Sequence, residues 1–149
     1  MASNYTIAMS SDSIPTILLV DDYPDALDVW GLYLRAAGFS VLTATDGPTA
    51  IAMATEKNPD VIVLDLELPG KSGIEVATTL RAQPSTRDSP LIAATGCSHV
   101  KQLDRARATG FGAIVVKPCD PEALVTEIRR LLPRQTGRRA VEDRNVPTE

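Results

Sequence analysis

Val61-Ile62-Val63-Leu64-Asp65 is a run of four aliphatic residues that ends on a carboxylate, and Leu66-Glu67-Leu68-Pro69-Gly70 follows it as a loop. A short apolar run without polar interruption is what a strand covered on both faces requires. Such strands belong to parallel sheets with helices on each side. Ligands of those sheets bind beyond the carboxyl ends of the strands. Asp65 therefore stands where an open α/β sheet does its chemistry.

The same pattern recurs along the chain. Ile17-Leu18-Leu19-Val20 is a buried strand that ends on Asp21-Asp22, and Pro24 suits the first turn of the helix that follows, to about Ala37, with Gly38 as its stop. Phe39 to Ala44 is less purely apolar and reads as a strand nearer an edge. Asp46-Gly47 opens a second helix to about Glu56, closed by Asn58-Pro59. Ser72 can cap a third helix from Gly73 to Arg81, and the proline-containing stretch from Gln83 to Pro90 reads as a loop. Leu91 to Thr95 is the fourth strand. Ser98 can cap a fourth helix to about Ala108, whose apolar side is only Val100, Leu103 and Ala106 and is weakly anchored for that reason. Ala113 to Val116 is the fifth strand, ending on Lys117-Pro118. Asp120-Pro121-Glu122 is a strong helix start, and Leu124, Ile128 and Leu131 give that helix its buried stripe. Strands alternating with helices in this way predict an α/β fold, a doubly wound five-stranded parallel sheet with right-handed crossovers.

The first helix has two apolar stripes. Leu27, Trp30, Gly31 and Leu34 form a core face. Ala26, Val29, Tyr33 and Ala36 adjoin it, leaving Asp25, Asp28, Leu32 and Arg35 outward. The second stripe is either a partner patch or the mark of a helix sunk between neighbours.

At 149 residues the chain is expected to hold one domain, residues 15–133, between a flexible polar tail at 1–14 and a polar, Arg-containing tail at 134–149. Hydrophobic content of 44% and charged content of 23% are ordinary for a soluble globular domain. A net charge of −4 gives no basic field for nucleic acid. No apolar run approaches the ~20 residues that cross a bilayer, so no membrane partner is expected. No secretory signal opens the chain, and Cys97 and Cys119 make no disulfide framework, so a cytoplasmic location is expected. His99 has no second histidine beside it and reads as a surface residue. No Gly-x-Gly-x-x-Gly follows the first strand, which argues against dinucleotide binding.

Asp21-Asp22, Asp65, Thr95 and Lys117 all fall at strand ends, and a parallel sheet brings those ends to one rim. Carboxylates gathered there repel one another and need a cation. Oxygen-only ligands suit a hard ion such as Mg²⁺. A nucleophilic aspartate, a divalent ion, a lysine and a hydroxyl together suit phosphoryl transfer onto a carboxylate.

In order and spacing, Asp21-Asp22, Asp65, Thr95 and Lys117-Pro118 resemble the receiver domain of bacterial two-component response regulators. Pro59-Asp60, Leu68-Pro69-Gly70 with Gly73, and Gly110 with Gly112-Ala113 agree as flanking pieces, and the resemblance covers about Thr16 to Leu132. It implies a flavodoxin-like (βα)5 fold with strand order 2-1-3-4-5 and a phosphorylation-dependent switch, as a single-domain response regulator or a receiver from a longer protein. Asp65 is then the phosphoacceptor, and Mg²⁺ is held by Asp21, Asp22, Asp65 and the backbone carbonyl of Glu67. Lys117 pairs with the phosphoryl group, Thr95 bonds it, and the Lys117–Pro118 peptide is cis. The implied donor is a sensor histidine kinase or a histidine phosphotransfer protein, docking on the first helix and the loop after the fifth strand. The implied output is binding to an unidentified downstream protein.

One position departs from the family. Three residues before the lysine the family usually carries Tyr or Phe, and Ile114 stands there. A branched aliphatic cannot exchange an exposed hydroxyl for a buried ring, so the response is expected to rely on loop and helix shifts. Glu67 and Cys97, two residues after the aspartate and the threonine, stand where the family tunes the phosphoryl lifetime. Two other classes remain open on the residues alone: a receiver-like binding module that is never phosphorylated, and a hydrolase acting through an aspartyl phosphate.

Overall fold

The computed structural model describes residues 14–96 and 100–132. Ten elements alternate along it: β1 (Thr16–Val20), α1 (Pro24–Ala36), β2 (Ser40–Ala44), α2 (Gly47–Lys57), β3 (Val61–Leu64), α3 (Gly73–Ala82), β4 (Leu91–Thr95), α4 (Val100–Thr109), β5 (Ala113–Val116) and α5 (Pro121–Leu131). Among the described residues the strands form one parallel sheet in the order β2-β1-β3-β4-β5. The element bounds lie within a residue of those read from the sequence. Apart from Ile14, the expected tails lie outside the described residues, as do Cys97, Ser98 and His99.

The continuous apolar runs have a direct structural cause. In β1, Leu18 and Val20 point into a cluster under α2, α3 and α4, while Ile17 and Leu19 point into a second cluster under α1 and α5. In β3, Ile62 and Leu64 join the first cluster and Val61 and Val63 the second. Successive side chains of a strand point to opposite faces. Since helices cover both faces, both sets must be apolar. β2 lies at an edge, which accounts for its exposed Ser40 and Thr43.

Helix starts follow the expected capping. The Asp46 carboxylate accepts from Thr49 N–H at 2.8 Å, and Asp120 accepts from Glu122 N–H at 3.1 Å. Ser72 and Glu75 form a reciprocal capping box on α3. Asn58 ends α2 in the left-handed region at φ 47°.

On α1, Leu27, Gly31 and Leu34 are buried and Trp30 is half-buried. The adjoining stripe divides: Ala26 and Tyr33 are half-buried, whereas Ala36 and Val29 are exposed, Val29 to 62%. The helix is therefore not sunk between neighbours along that whole stripe. Leu32 is 70% exposed, as its outward position predicts.

Three arginines tie the end of the sheet opposite the strand tips. Arg81 donates to the carbonyls of Arg87, Ser89 and Gly110 at 2.7–2.9 Å. Arg129 donates to Ala37 O and lies 5.7 Å over the Phe39 ring, and Arg130 donates to Gly112 O at 2.8 Å. At the same end Asp60 joins β1 to β3. Its carboxylate accepts from Thr16 N–H and its own N–H donates to Thr16 O, both at 2.8 Å. Asp60→Ala removes a charged acceptor from a half-buried N–H. It is expected to lower unfolding free energy by about 1–2 kcal/mol, measured by urea titration, with no change in chemistry at the far rim.

Candidate functional site

The strand register builds the site. Val20 pairs with Leu64, so Asp21 and Asp65 leave their strands side by side, and Asp65 N–H donates to Val20 O at 3.0 Å. Thr95 pairs with Val116, and Lys117 N–H then donates to Thr95 O at 2.7 Å. Residues far apart in the chain thus meet at one rim. Lys117 Nζ lies 2.8 Å from Asp21 Oδ2 and 3.3 Å from Asp65 Oδ2.

The free oxygens of the two buried carboxylates are oriented by backbone. Tyr23 N–H donates to Asp21 Oδ1 at 3.0 Å, and Glu67 N–H donates to Asp65 Oδ1 at 2.9 Å. These backbone donors carry no side-chain signature, and sequence reasoning missed them. Asp22 is exposed at the rim. Asp21, Asp22 and Asp65 each offer a carboxylate oxygen, and these oxygens lie within 4.8 Å of one another. An all-oxygen, anionic donor set of this size fits a hard divalent cation.

Of the other predicted residues, the structure brings Lys117 directly to this cluster. Thr95 is fully buried, and the Glu67 side chain is exposed. Lys117 is half-buried, and its bond to Pro118 is cis. Ile114 is half-buried and packs against the cluster under α2, α3 and α4. Cys119 is a half-buried thiol, raised in pKa chiefly by burial. Beneath Lys117 lies a cavity of about 20 Å³, walled by Val20, Leu27, Trp30, Ala94 and Leu124. It has room for about one water molecule.

Burial pushes the Asp65 carboxyl above the ordinary carboxylate range, and the Glu67 N–H and the Lys117 charge offset this only in part. Burial also works against the Lys117 ammonium. The hydrogen bond to Asp21 and the two neighbouring carboxylates outweigh it and hold Lys117 above its ordinary value, so it stays charged at neutral pH. The rim therefore combines a desolvated carboxylate, a fixed cation and an acidic mouth. Such a set can bind a metal ion and receive an electrophile.

The model of the response regulator receiver domain matches residues 17–129. The chain belongs to the response regulator receiver domain family. This receiver domain is 38% identical to the transcriptional regulatory protein PrrA of Mycobacterium tuberculosis over 121 residues, 81% of this chain and 51% of PrrA. It is 34% identical to the DNA-binding dual master transcriptional regulator RpaA of Synechocystis over 125 residues, 84% of this chain and 52% of RpaA. The chain spans about half the length of these curated relatives. Among solved structures it is similar to the chemotaxis protein CheY4 of Vibrio cholerae, with 30% identity and a TM-score of 0.76, covering 80% of this chain and 100% of that one. It is also similar to the receiver domain of the sensor histidine kinase PA1611 of Pseudomonas aeruginosa, which holds a magnesium ion in its active site cleft. There the identity is 28% and the TM-score 0.75, covering 80% of this chain and 98% of that one. The receiver is a signalling domain that works through phosphorylation, and its parallel sheet is the CheY-like, flavodoxin-like fold. No described helix is long and apolar enough to cross a membrane.

Proposed function

We propose that Asp65 is the phosphoacceptor of a phosphorylation switch in a two-component system or phosphorelay, fed by a sensor histidine kinase or a histidine phosphotransfer protein. The observation that carries this reading is the shared cation. One lysine bridges Asp21 and Asp65 beside a cluster of three carboxylates at the carboxyl rim of the sheet. Asp21, Asp22, Asp65 and the Glu67 backbone carbonyl are the residues that would hold Mg²⁺. Bound there, the ion supplies positive charge against the phosphoryl oxygens.

The protein's own groups do the rest. A carboxylate oxygen of Asp65 forms the new O–P bond as the N–P bond of the donor's phosphohistidine breaks, and the bonding pair leaves on the imidazole nitrogen. Glu67 N–H and Lys117 hold the carboxylate at the rim before reaction. Lys117 then pairs with a phosphoryl oxygen, and the Thr95 hydroxyl bonds another. Glu67 N–H and Lys117 are preplaced on Asp65, so little reorganisation of these donors is needed as charge moves, and the Thr95 hydroxyl swings inward to its phosphoryl oxygen. Hydrolysis reverses the charge movement when water attacks phosphorus and the Asp65 carboxylate leaves.

The donor docks on α1 and the loop after β5. Val29 and Leu32 are exposed on α1 beside Asp25 and Asp28, and Tyr23 is 62% exposed at the rim. That surface suits a partner with an apolar knob between basic residues. The domain acts in the cytoplasm as a switch rather than a conventional enzyme, catalysing only its own phosphorylation and dephosphorylation. Its output is a changed affinity for a downstream protein, without nucleic-acid or membrane contact by the receiver itself. With Ile114 in the aromatic position, that change is carried by loop and helix shifts.

The test is incubation with Mg²⁺ and acetyl phosphate, followed by intact mass. A gain of about 80 Da, one phosphoryl group, that is lost when the metal is chelated supports the switch. No gain with acetyl phosphate or with a cognate kinase favours an inert module, and rapid turnover of many phosphate esters favours a hydrolase. Glu67 lies two residues after Asp65 with an exposed side chain, where it would repel or orient the hydrolytic water. Glu67→Ala is therefore expected to change the dephosphorylation rate severalfold, followed by the decay of the mass adduct. An unchanged decay removes Glu67 from the control of lifetime.

A further inference from the structure

The first residue of α3 approaches the acceptor more closely than any side chain allows. A Cβ on Gly73 would lie 2.4 Å from the Asp65 carbonyl oxygen and 2.6 Å from Leu66 Cα. Both obstacles are backbone, so no rotamer change relieves the clash. The approach is held from both sides. Gly73 N–H donates to Leu66 O at 3.0 Å, and Asp65 N–H donates to Val20 O at 3.0 Å. Behind Gly73 the capping box fixes the first turn of α3, with Glu75 N–H donating to the Ser72 hydroxyl at 3.2 Å and Ser72 N–H donating to the Glu75 carboxylate at 2.9 Å. The segment Asp65-Leu66-Glu67 is thus gripped between β1 and the start of α3.

We propose that Gly73 is a positioning residue for the acceptor. Its bare Cα lets α3 press directly on the Asp65–Leu66 backbone, and this contact sets where the Asp65 carboxylate and the Glu67 carbonyl stand relative to Asp22. The inference rests on the metal-dependent reading of the site given above. An added methyl must push that backbone away, and displacements near 1 Å at a reacting group cost on the order of 100-fold in rate.

The experiment compares Gly73→Ala with Gly70→Ala. Gly70 lies in the same loop at φ 78°, but a Cβ there meets nothing within 4 Å, so alanine strains the backbone without touching Asp65. Mg²⁺ affinity is read by Trp30 fluorescence, since Trp30 lines the cavity shared by Asp21 and Lys117, and the fold by far-UV circular dichroism. The expected result is a folded Gly73→Ala with Mg²⁺ affinity weakened about 10-fold or more, phosphoryl uptake slowed about 100-fold, and Gly70→Ala close to wild type in affinity. Unchanged affinity in a folded Gly73→Ala overturns the inference alone. If Gly73→Ala does not fold, Ser72→Ala loosens the same turn without adding an atom, and Asp46→Ala is the matched cap loss on α2. Weaker Mg²⁺ binding in Ser72→Ala than in Asp46→Ala supports the inference, and equal binding overturns it. A wild-type protein that neither binds Mg²⁺ nor gains a phosphoryl group overturns the functional reading and this inference with it.

Discussion

Asp65→Asn is expected to take up no phosphoryl group and yet to melt above the wild type when Mg²⁺ is absent. The loss of uptake is complete because the amide is not a nucleophile for phosphorus at neutral pH, and intact mass after acetyl phosphate treatment reads it directly. The gain in stability follows from burial. Desolvation raises the Asp65 pKa above the ordinary 3.8, so folding favours the protonated carboxyl. That contribution is present below the ordinary value and is lost as pH rises through the folded value, leaving the ionised group a net cost at neutral pH. Asparagine keeps the size and removes the charge, while Lys117 retains Asp21 at 2.8 Å. The expected rise is a few degrees, the scale on which small stability gains move the midpoint of a domain of this size. The difference shrinks as the pH falls toward the carboxylate range. Added Mg²⁺ reverses the order, because the ion stabilises the state that binds it. A variant that still gains the phosphoryl mass would place the acceptor elsewhere. One that melts below wild type would show that the attraction of Lys117 for Asp65 outweighs burial.

Lys117→Ala is expected to slow phosphoryl uptake by about 10²–10³-fold while the domain stays folded. That range is typical for removing one preplaced donor from a site where charge develops. Lys117 is the cation that bridges Asp21 and Asp65, and in the proposed transfer it meets a phosphoryl oxygen. Without it the two buried carboxylates face each other. Metal binding is expected to survive, since the carboxylate cluster does not include the lysine. The time course of the mass adduct gives the rate, and a Mg²⁺ titration separates loss of chemistry from loss of metal. Lys117→Arg keeps the charge but places it on a planar fork instead of a compact ammonium, so partial rescue is expected. A rate within threefold of wild type in Lys117→Ala would exclude the lysine from the transfer step.

The sheet was legible because its chemistry is redundant. Ile17 to Val20 and Val61 to Leu64 must be apolar at every position when helices cover both faces, and β2 betrays its edge through Ser40 and Thr43. The rim was legible because parallel strands gather their ends, so Asp21, Asp65, Thr95 and Lys117 could be brought together from chain order. Three features were not legible. The N–H groups of Tyr23 and Glu67 orient the acids, but a backbone donor has no residue type to betray it. Arg81 reaches from α3 to Gly110, a long-range tie that no periodicity encodes. On α1 the helical period placed Val29 and Ala36 beside the core stripe but left open whether that stripe is a partner patch or buried, and both are exposed. A period orders residues around a helix but does not say how far each neighbour reaches.

Helix α4 contributes little to the core among the described residues. Among its described side chains Ala106 is the buried one, and its far end is fastened where Arg81 grips Gly110. Free energy is therefore unevenly distributed through the molecule. Local opening is least costly where few apolar side chains are buried, so the amides of α4 are expected to exchange with solvent faster than those of β1 and β3. A partner that draws α4 from the sheet would meet only this local cost, and the carboxylate rim would keep the strand register that Val20–Leu64 and Thr95–Val116 give it.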